Sequence, residues 1–264
     1  MKKLHALSAV LILTVSGLAQ AAKTTTQAGY PVSEVERPLI LPGGMTQLAL
    51  LPRLLFVPGT TFTAGPISIT SGSSTLFGLG AAVDYGFGDN MQFGIFGDYQ
   101  LSSPSNFNGV TANFQYGLSE NANVRIDAGI LHGGSTNFIA GVGVPLKYKI
   151  GNGLAFASGR PFSYDFADDI FRINTGTPTM IMLHAPLGLV FDPAENVSLF
   201  LQTGYQMTLV SSTSTSSFPT AVEIQFTPMS NLDLAAEFAV PGSTSNGAGF
   251  LDNKMLNFFL KYRL

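Results

Sequence analysis

The 264-residue chain contains no cysteine. Disulfides and cysteine-based metal sites are therefore excluded. Charge is scarce: Asp, Glu, Lys and Arg make up 11 % of the residues, with 13 basic against 16 acidic side chains. A chain without a basic excess has no electrostatic footprint for nucleic acid. Long apolar runs are missing as well. Beyond residue 21 nothing stays apolar for 18 residues, and the longest candidate, MIMLHAPLGLVF at 180–191, has the length of a strand. No helix able to cross a membrane is expected there, since crossing takes about 20 residues. Long helical periodicity is absent too, and no internal repeat exceeds a hairpin. Yet 45 % of the residues are hydrophobic and the mean hydropathy is +0.29. A greasy chain without membrane-spanning helices has few physical options.

What is there begins with an export signal. Lys2 and Lys3 form a basic start, Ala6–Leu18 an apolar stretch, and Ala19-Gln20-Ala21 a small-residue cleavage site. The pattern predicts removal of residues 1–21. Without Lys2 and Lys3, 11 basic side chains face 16 acidic ones, a net charge of −5. Residues 22–44 are not strand-like and carry Pro31, Pro38 and Pro42. They are expected to be a periplasmic lead-in or, as the second option, a small plug; the lead-in is preferred. The rest, 45–264, is expected to be one domain of ordinary size.

From Met45 onward, runs of about nine to eleven residues alternate in polarity with period two, the length a tilted strand needs to cross a membrane. Two kinds of connection take turns. The short ones are FGDN (87–90), SEN (119–121), GNG (151–153), DPAEN (192–196) and TPMSN (227–231), all turn-forming sequences. The long ones include residues 58–74, 102–109, HGGSTN (132–137), 160–179, 210–217 and 241–249. These delimit twelve strands near 45–57, 75–86, 91–101, 110–118, 122–131, 138–150, 154–160, 180–191, 197–208, 218–226, 232–240 and 255–264. The seventh is short and poorly patterned, so the region 154–179 leaves ten or fourteen strands open. Regular exchange of short and long connections marks an all-β, antiparallel up-and-down transmembrane barrel. Pro52, Pro145, Pro186 and Pro219 fall in or beside the strands and are expected to mark bulges.

Charges test this reading, because in each strand they keep to one face. Arg125 and Asp127 share parity, as do Lys147 and Lys149, Asp233 and Glu237, and Lys261 and Arg263. Asp98 aligns with Gln92 and Gln100, Glu223 with Gln225, and Arg53 with Gln47. A soluble periplasmic sandwich also alternates, with its apolar face inward. Aromatic placement separates the two. The last residue of the apolar face before each of the five short turns is Tyr85, Tyr116, Tyr148, Phe191 and Phe226, and Tyr262 holds the same place in the last strand. A membrane interface collects rings in one plane, while a core has no reason to. Phe56, Tyr99, Tyr205 and Phe238 suggest a second belt. A Lys or Arg on the lipid face costs roughly 2–4 kcal/mol at mid-bilayer, so the charges belong inside.

The closing run LNFFLKYRL (256–264) resembles the C-terminal assembly signal of bacterial outer-membrane proteins. Apolar residues alternate and an aromatic, Tyr262, stands third from the end; Leu264 departs from the usual final Phe. That resemblance implies a location in the bacterial outer membrane, with its lipid, and recognition of Leu256–Leu264 by the barrel-assembly machinery. VERPLILPGGM (35–45) resembles a segment preceding the barrel in small proteobacterial outer-membrane proteins of the porin-like transporter group.

Twelve strands lie between a filled and an open barrel, so the inward residues decide. Small ones (Gly78, Gly80, Ala82, Gly94, Gly129, Gly141, Gly143) leave room, and Phe96, Leu131 and Phe200 take some of it. The expected lumen lining comprises Asp84, Asp98, Asp127, Glu223, Asp233 and Glu237 against Arg53, Arg125, Lys147, Lys149, Lys261 and Arg263, with His184. Strand order puts Asp233 near Lys261 and Arg263, and Arg125 with Asp127 near Lys147 and Lys149. One reading is a narrow channel whose polar constriction passes small solutes. The other is a salt-bridged network that merely satisfies the interior and bars the bore. A structural or adhesive barrel, with Ser/Thr-rich loops touching partners, is the first alternative function. A rim hydrolase is the second: His132 and Ser135 share one Gly-rich loop, but a triad needs mutual geometry. No catalytic residue is assigned. Asp165, Asp168 and Asp169 form an acidic cluster read as a solvated loop tip rather than a metal site. GLG at 78–80 is no dinucleotide fingerprint, because a strand runs through it. No cofactor is expected.

Overall fold

The computed structural model describes residues 29–264 except 58, 60, 65–66, 71, 103–105, 133–135, 159–168, 177, 211–212 and 241–253. The export signal, Ser135, Asp165 and Asp168 thus lie outside the described residues. Twelve antiparallel strands close into a ring. They are β1 (Thr46–Val57), β4 (Ser74–Phe87), β5 (Met91–Gln100), β6 (Asn106–Ser119) and β7 (Ala122–His132), then two composite strands. The sixth combines β8 (Thr136–Gly143) with β9 (Leu146–Gly151), and the seventh combines β10 (Leu154–Ser158) with β11 (Asp169–Asn174). Next come β12 (Met180–Ala194) and β13 (Val197–Val210); β14 (Thr213–Ser217) continues into β15 (Thr220–Met229) as the tenth strand. Last are β16 (Leu232–Val240) and β17 (Lys254–Arg263). A small hairpin of β2 (Thr61–Ala64) and β3 (Ile67–Thr70) stands in the first long connection.

Closure is made by the two ends of the barrel sequence. Gln47 pairs with Arg263 and Leu50 with Leu260, while Thr46 and Leu264 exchange backbone hydrogen bonds of 3.0 and 2.8 Å. The last strand therefore has a ladder partner on each side, and no sheet edge remains there. The ladder between β1 and β17 is interrupted at Leu51 and Pro52 and resumes at Arg53–Asn257 in the same register. Pro52 lacks a donor but makes no bulge. Pro145 and Pro219 fall in the breaks between strand segments, and Pro186 lies within β12 opposite Gly204.

The seventh strand differs from its expected span. Its upper half is Asp169–Asn174, which pairs with β8 on one side and β12 on the other. Alternation failed to reveal it because residues 159–168 separate it from β10, so two short segments each show too little pattern.

The wall is turned inside out. Tyr85, Tyr148, Phe191, Phe226 and Tyr262 are 38–48 % exposed on the outside, and Tyr116 is half-buried on the same face. Lys147 and Arg263 are 5 % and 3 % exposed. A water-soluble sandwich would reverse that order.

Candidate functional site

Of the expected lumen residues, Asp84, Arg125, Asp127, Lys147, Glu223, Asp233, Glu237, Lys261 and Arg263 are buried within the ring. Arg53, Asp98 and His184 are half-buried, and Lys149 is exposed. Arg53 pairs with Asp98, which also accepts a 2.7 Å bond from Asn108 Nδ2. Arg125 holds Asp127 through Nε and Nη2, both at 2.8 Å. Asn257 Nδ2 donates to Glu237 Oε1 at 2.6 Å. Asp233 pairs with Arg263, as strand order implied.

Several inward glycines do not leave space open. A Cβ at Gly94 would collide with Asp84 Oδ1 and Asn113 Nδ2, one at Gly80 with the Phe96 ring, and one at Gly141 with Asp169. Side chains on neighbouring strands lean across these positions, so each glycine makes room for a neighbour rather than leaving a hole. Asp169 is likewise corrected from a loop tip to a buried inward side chain, 3 % exposed.

The main departure concerns residues 22–44. The described part, from residue 29, does not run outside as a lead-in; it packs among inward side chains at the short-turn end. Its local shape follows from composition. Pro31, Pro38 and Pro42 forbid a continuing helix or ladder. Two successive turns, Glu36 N to Ser33 O and Arg37 N to Glu34 O at 3.2 Å each, bring Glu34 and Arg37 to one side. Pro42-Gly43-Gly44 then reverses the chain into β1. Gly44 has φ +86°, where a side chain is strained, and its N–H bonds Gly86 O at 2.8 Å. Gly86 itself must be bare, because a Cβ would strike the carbonyl oxygens of Leu41 and Pro42.

This inner segment touches much of the ring. Ser33 Oγ and Val35 N donate to Asp192 on β12, the latter at 3.0 Å. Leu41 N donates to Gln92 Oε1 on β5 at 2.9 Å. Lys147 Nζ on β9 donates to Glu34 O at 2.8 Å, and Gln225 Nε2 on β15 to Glu34 Oε2 at 3.2 Å. Lys149 pairs with Glu36. The two lysines thus turn to the inner segment, where strand order alone had put them beside Arg125 and Asp127. Val35 is fully buried with Ala155, Ala157, Val190 and Phe200, the alanines making room for it.

Arg37 is the centre. Its Nε donates to Pro31 O at 3.0 Å and Nη1 to Glu34 Oε2 at 2.6 Å. Nη1 and Nη2 grip both oxygens of Asp233 at 2.9 Å, and Nη2 also reaches Thr227 Oγ1 at 3.3 Å. The planar fork suits this bidentate grip, which lysine cannot copy. Tyr30 lies between two guanidinium groups, its ring centroid 4.8 Å from Arg263 and 5.5 Å from Arg37. Burial opposes the Arg37 charge, but Glu34 and Asp233 outweigh burial and hold its pKa above the usual value. Burial also works against the Glu34 carboxylate; Arg37, Lys147 and Lys261 overcome it and hold the pKa below the usual range. Burial raises the Tyr30 pKa, so the phenol stays neutral.

Sequence reasoning missed Tyr30, Glu34, Arg37, Gln92 and Asp192 as parts of the site. A signal existed: Glu34, Glu36 and Arg37 are three charges set among prolines and aliphatics in a segment too greasy to stay solvated. At the other rim, His132 Nδ1 lies 3.2 Å from Thr136 Oγ1.

No family model and no curated protein matches the chain. Among solved structures it is similar to an outer-membrane channel from Pseudomonas putida F1, with TM-score 0.58 and 11 % identity over 91 % of this chain and 100 % of that one. The translocator domain of the autotransporter NalP from Neisseria meningitidis gives TM-score 0.55 and 11 % identity over 100 % and 98 %. The NanC porin gives 0.52 and 10 % over 82 % and 100 %. At such identities the likeness is one of fold: this chain has the closed β-barrel fold of outer-membrane porins and channels.

Proposed function

We propose that the protein is a passive channel for small solutes in the bacterial outer membrane. Export with cleavage after Ala21, and assembly through recognition of Leu256–Leu264, belong to the same reading. The observation that carries it is a ring of twelve strands whose charged and amide side chains mostly face an axis while most of its aromatics and aliphatics face out. A barrel needs only lipid outside and filling inside. Here one end of the bore is filled by residues 29–45, a separate segment rather than the wall's own side chains, which suits a path that opens and shuts. Short turns belong to the periplasmic end in barrels of this kind, so the inner segment would shut the channel from the periplasm. Paired charges above it would select solutes by size and charge.

Single-channel recording of refolded protein in planar bilayers tests this. Stepwise openings with a fixed ion preference are expected. Silence at every voltage, in the intact chain and in variants that loosen the inner segment, would favour a structural or adhesive barrel. Turnover of lipid or peptide that Ser135→Ala abolishes would favour the rim hydrolase.

A further inference from the structure

We infer that Arg37 is the latch that holds the inner segment in the bore, and that residues 30–41 leave as a unit when its grip on the wall is lost. The inference rests on the channel reading for its consequence, but not for its geometry. Within the segment Arg37 ties Pro31 and Glu34; across to the wall it ties Asp233 and Thr227. One side chain thus joins the fold of the segment to its seat. Its side chain has no exposed surface, and neither partner carboxylate exceeds 1 % exposure. Removing the guanidinium takes from Glu34 its ion pair and from Asp233 one of two, leaving Arg263 on Asp233 and Lys147 with Gln225 on Glu34, in a site where neither carboxylate exceeds 1 % exposure. With the segment withdrawn, both carboxylates regain water. A substitution shifts an equilibrium only by its unequal effect on the two states, and here the loss falls on the docked state.

The remaining contacts permit a unit movement. Ser33, Val35 and Leu41 meet the wall through single hydrogen bonds or apolar packing, while Lys147 and Gln225 hold Glu34 and Lys149 pairs with Glu36, so withdrawal breaks these contacts together. At the barrel end of the segment, Gly43 and Gly44 precede β1, and Gly44 has no atom within 4 Å of where a Cβ would stand. The Gly44 N to Gly86 O and Gly86 N to Met45 O bonds, at 2.8 and 2.9 Å, keep the start of β1 in register when residues 30–41 move.

A chain without cysteine allows a clean test. Val35→Cys places a thiol at a position with no exposure. Its labelling by a charged methanethiosulfonate reagent is measured in the full-length refolded barrel, alone and with Arg37→Ala or Arg37→Lys, alongside single-channel recording. Heat-dependent gel mobility certifies that each barrel has formed. The expected result is labelling at least tenfold faster with Arg37→Ala, an intermediate rate with Arg37→Lys, and a matching rise in open probability. Equal labelling rates in all three folded proteins overturn the latch, whatever the recordings show. Faster labelling without conductance sustains the latch and removes the channel reading instead. Should Arg37→Ala fail to fold, Arg37→Lys decides by the same two readouts.

Discussion

Arg37 and Glu34 show how a buried charge can be tolerated and what it then controls. Each is deeply buried, and each is compensated by more than one opposite charge or donor. Breaking such a set by removing one member costs roughly 3–5 kcal/mol in the docked state, far more than an exposed pair such as Lys149–Glu36 returns. The direction of the Glu34 shift sets a pH dependence. Its folded pKa is depressed, so its contribution is fully present above the unfolded value of about 4.3 and disappears as pH falls through the lower folded value. Thermal melting in detergent, followed by circular dichroism, should therefore lose stability below about pH 4. Glu34→Gln should melt lower at neutral pH and show a shallower acid decline; an unchanged acid limb would contradict the assignment.

Among the elements, the strands obey the rule that successive side chains point to opposite faces. Ile126 on β7 faces outward, 51 % exposed, between Phe114 of β6 and Val142 of β8, while its neighbours Arg125 and Asp127 face in. Ile126→Arg is expected to cost roughly 2–4 kcal/mol in urea unfolding from lipid vesicles, whereas Ile126→Leu should be nearly neutral. The turn into β1 depends on a different constraint. Gly44→Ala forces a side chain into the left-handed region at about 1–2 kcal/mol. Gly86→Val sets a branched side chain against the Leu41 and Pro42 carbonyls. Gly86→Val should speed labelling of Val35→Cys while leaving heat-dependent mobility intact, since the clash is with the inner segment and not with a neighbouring strand.

For the molecule as a whole, the ring is completed by residues far apart in sequence, and Lys254–Arg263 supplies the last strand. Tyr262 stands outward at the short-turn end, opposite Leu48 and Leu232. If it serves both as interfacial anchor and as part of the assembly signal, Tyr262→Ala should lower the yield of heat-modifiable barrel in cells severalfold. Tyr262→Phe should restore it. Equal yields for all three would remove the assembly role.

Much of this molecule was legible in its sequence, for a local reason. Period-two polarity follows from covalent strand geometry, so Arg125–Ala128 or Asp233–Glu237 declare their faces without reference to anything distant. Turn chemistry at FGDN or DPAEN is equally local. The ring, its inward charges and its outer belt of rings followed from those two facts together. The split seventh strand escaped because Asp169–Asn174 has too few residues for alternation to be read across the separation from β10. Glycines such as Gly94 announced room but not its occupant, which leans over from the next strand. The seat of residues 29–45 was beyond local reading altogether. Their partners Gln92, Lys147, Asp192, Gln225 and Asp233 stand 51 to 196 residues away. Alternation tells a side chain which way to face; only the closed ring brings Asp233 and Lys147 around one axis, making a dry, charged cavity that a proline-broken segment with its own Glu and Arg can enter.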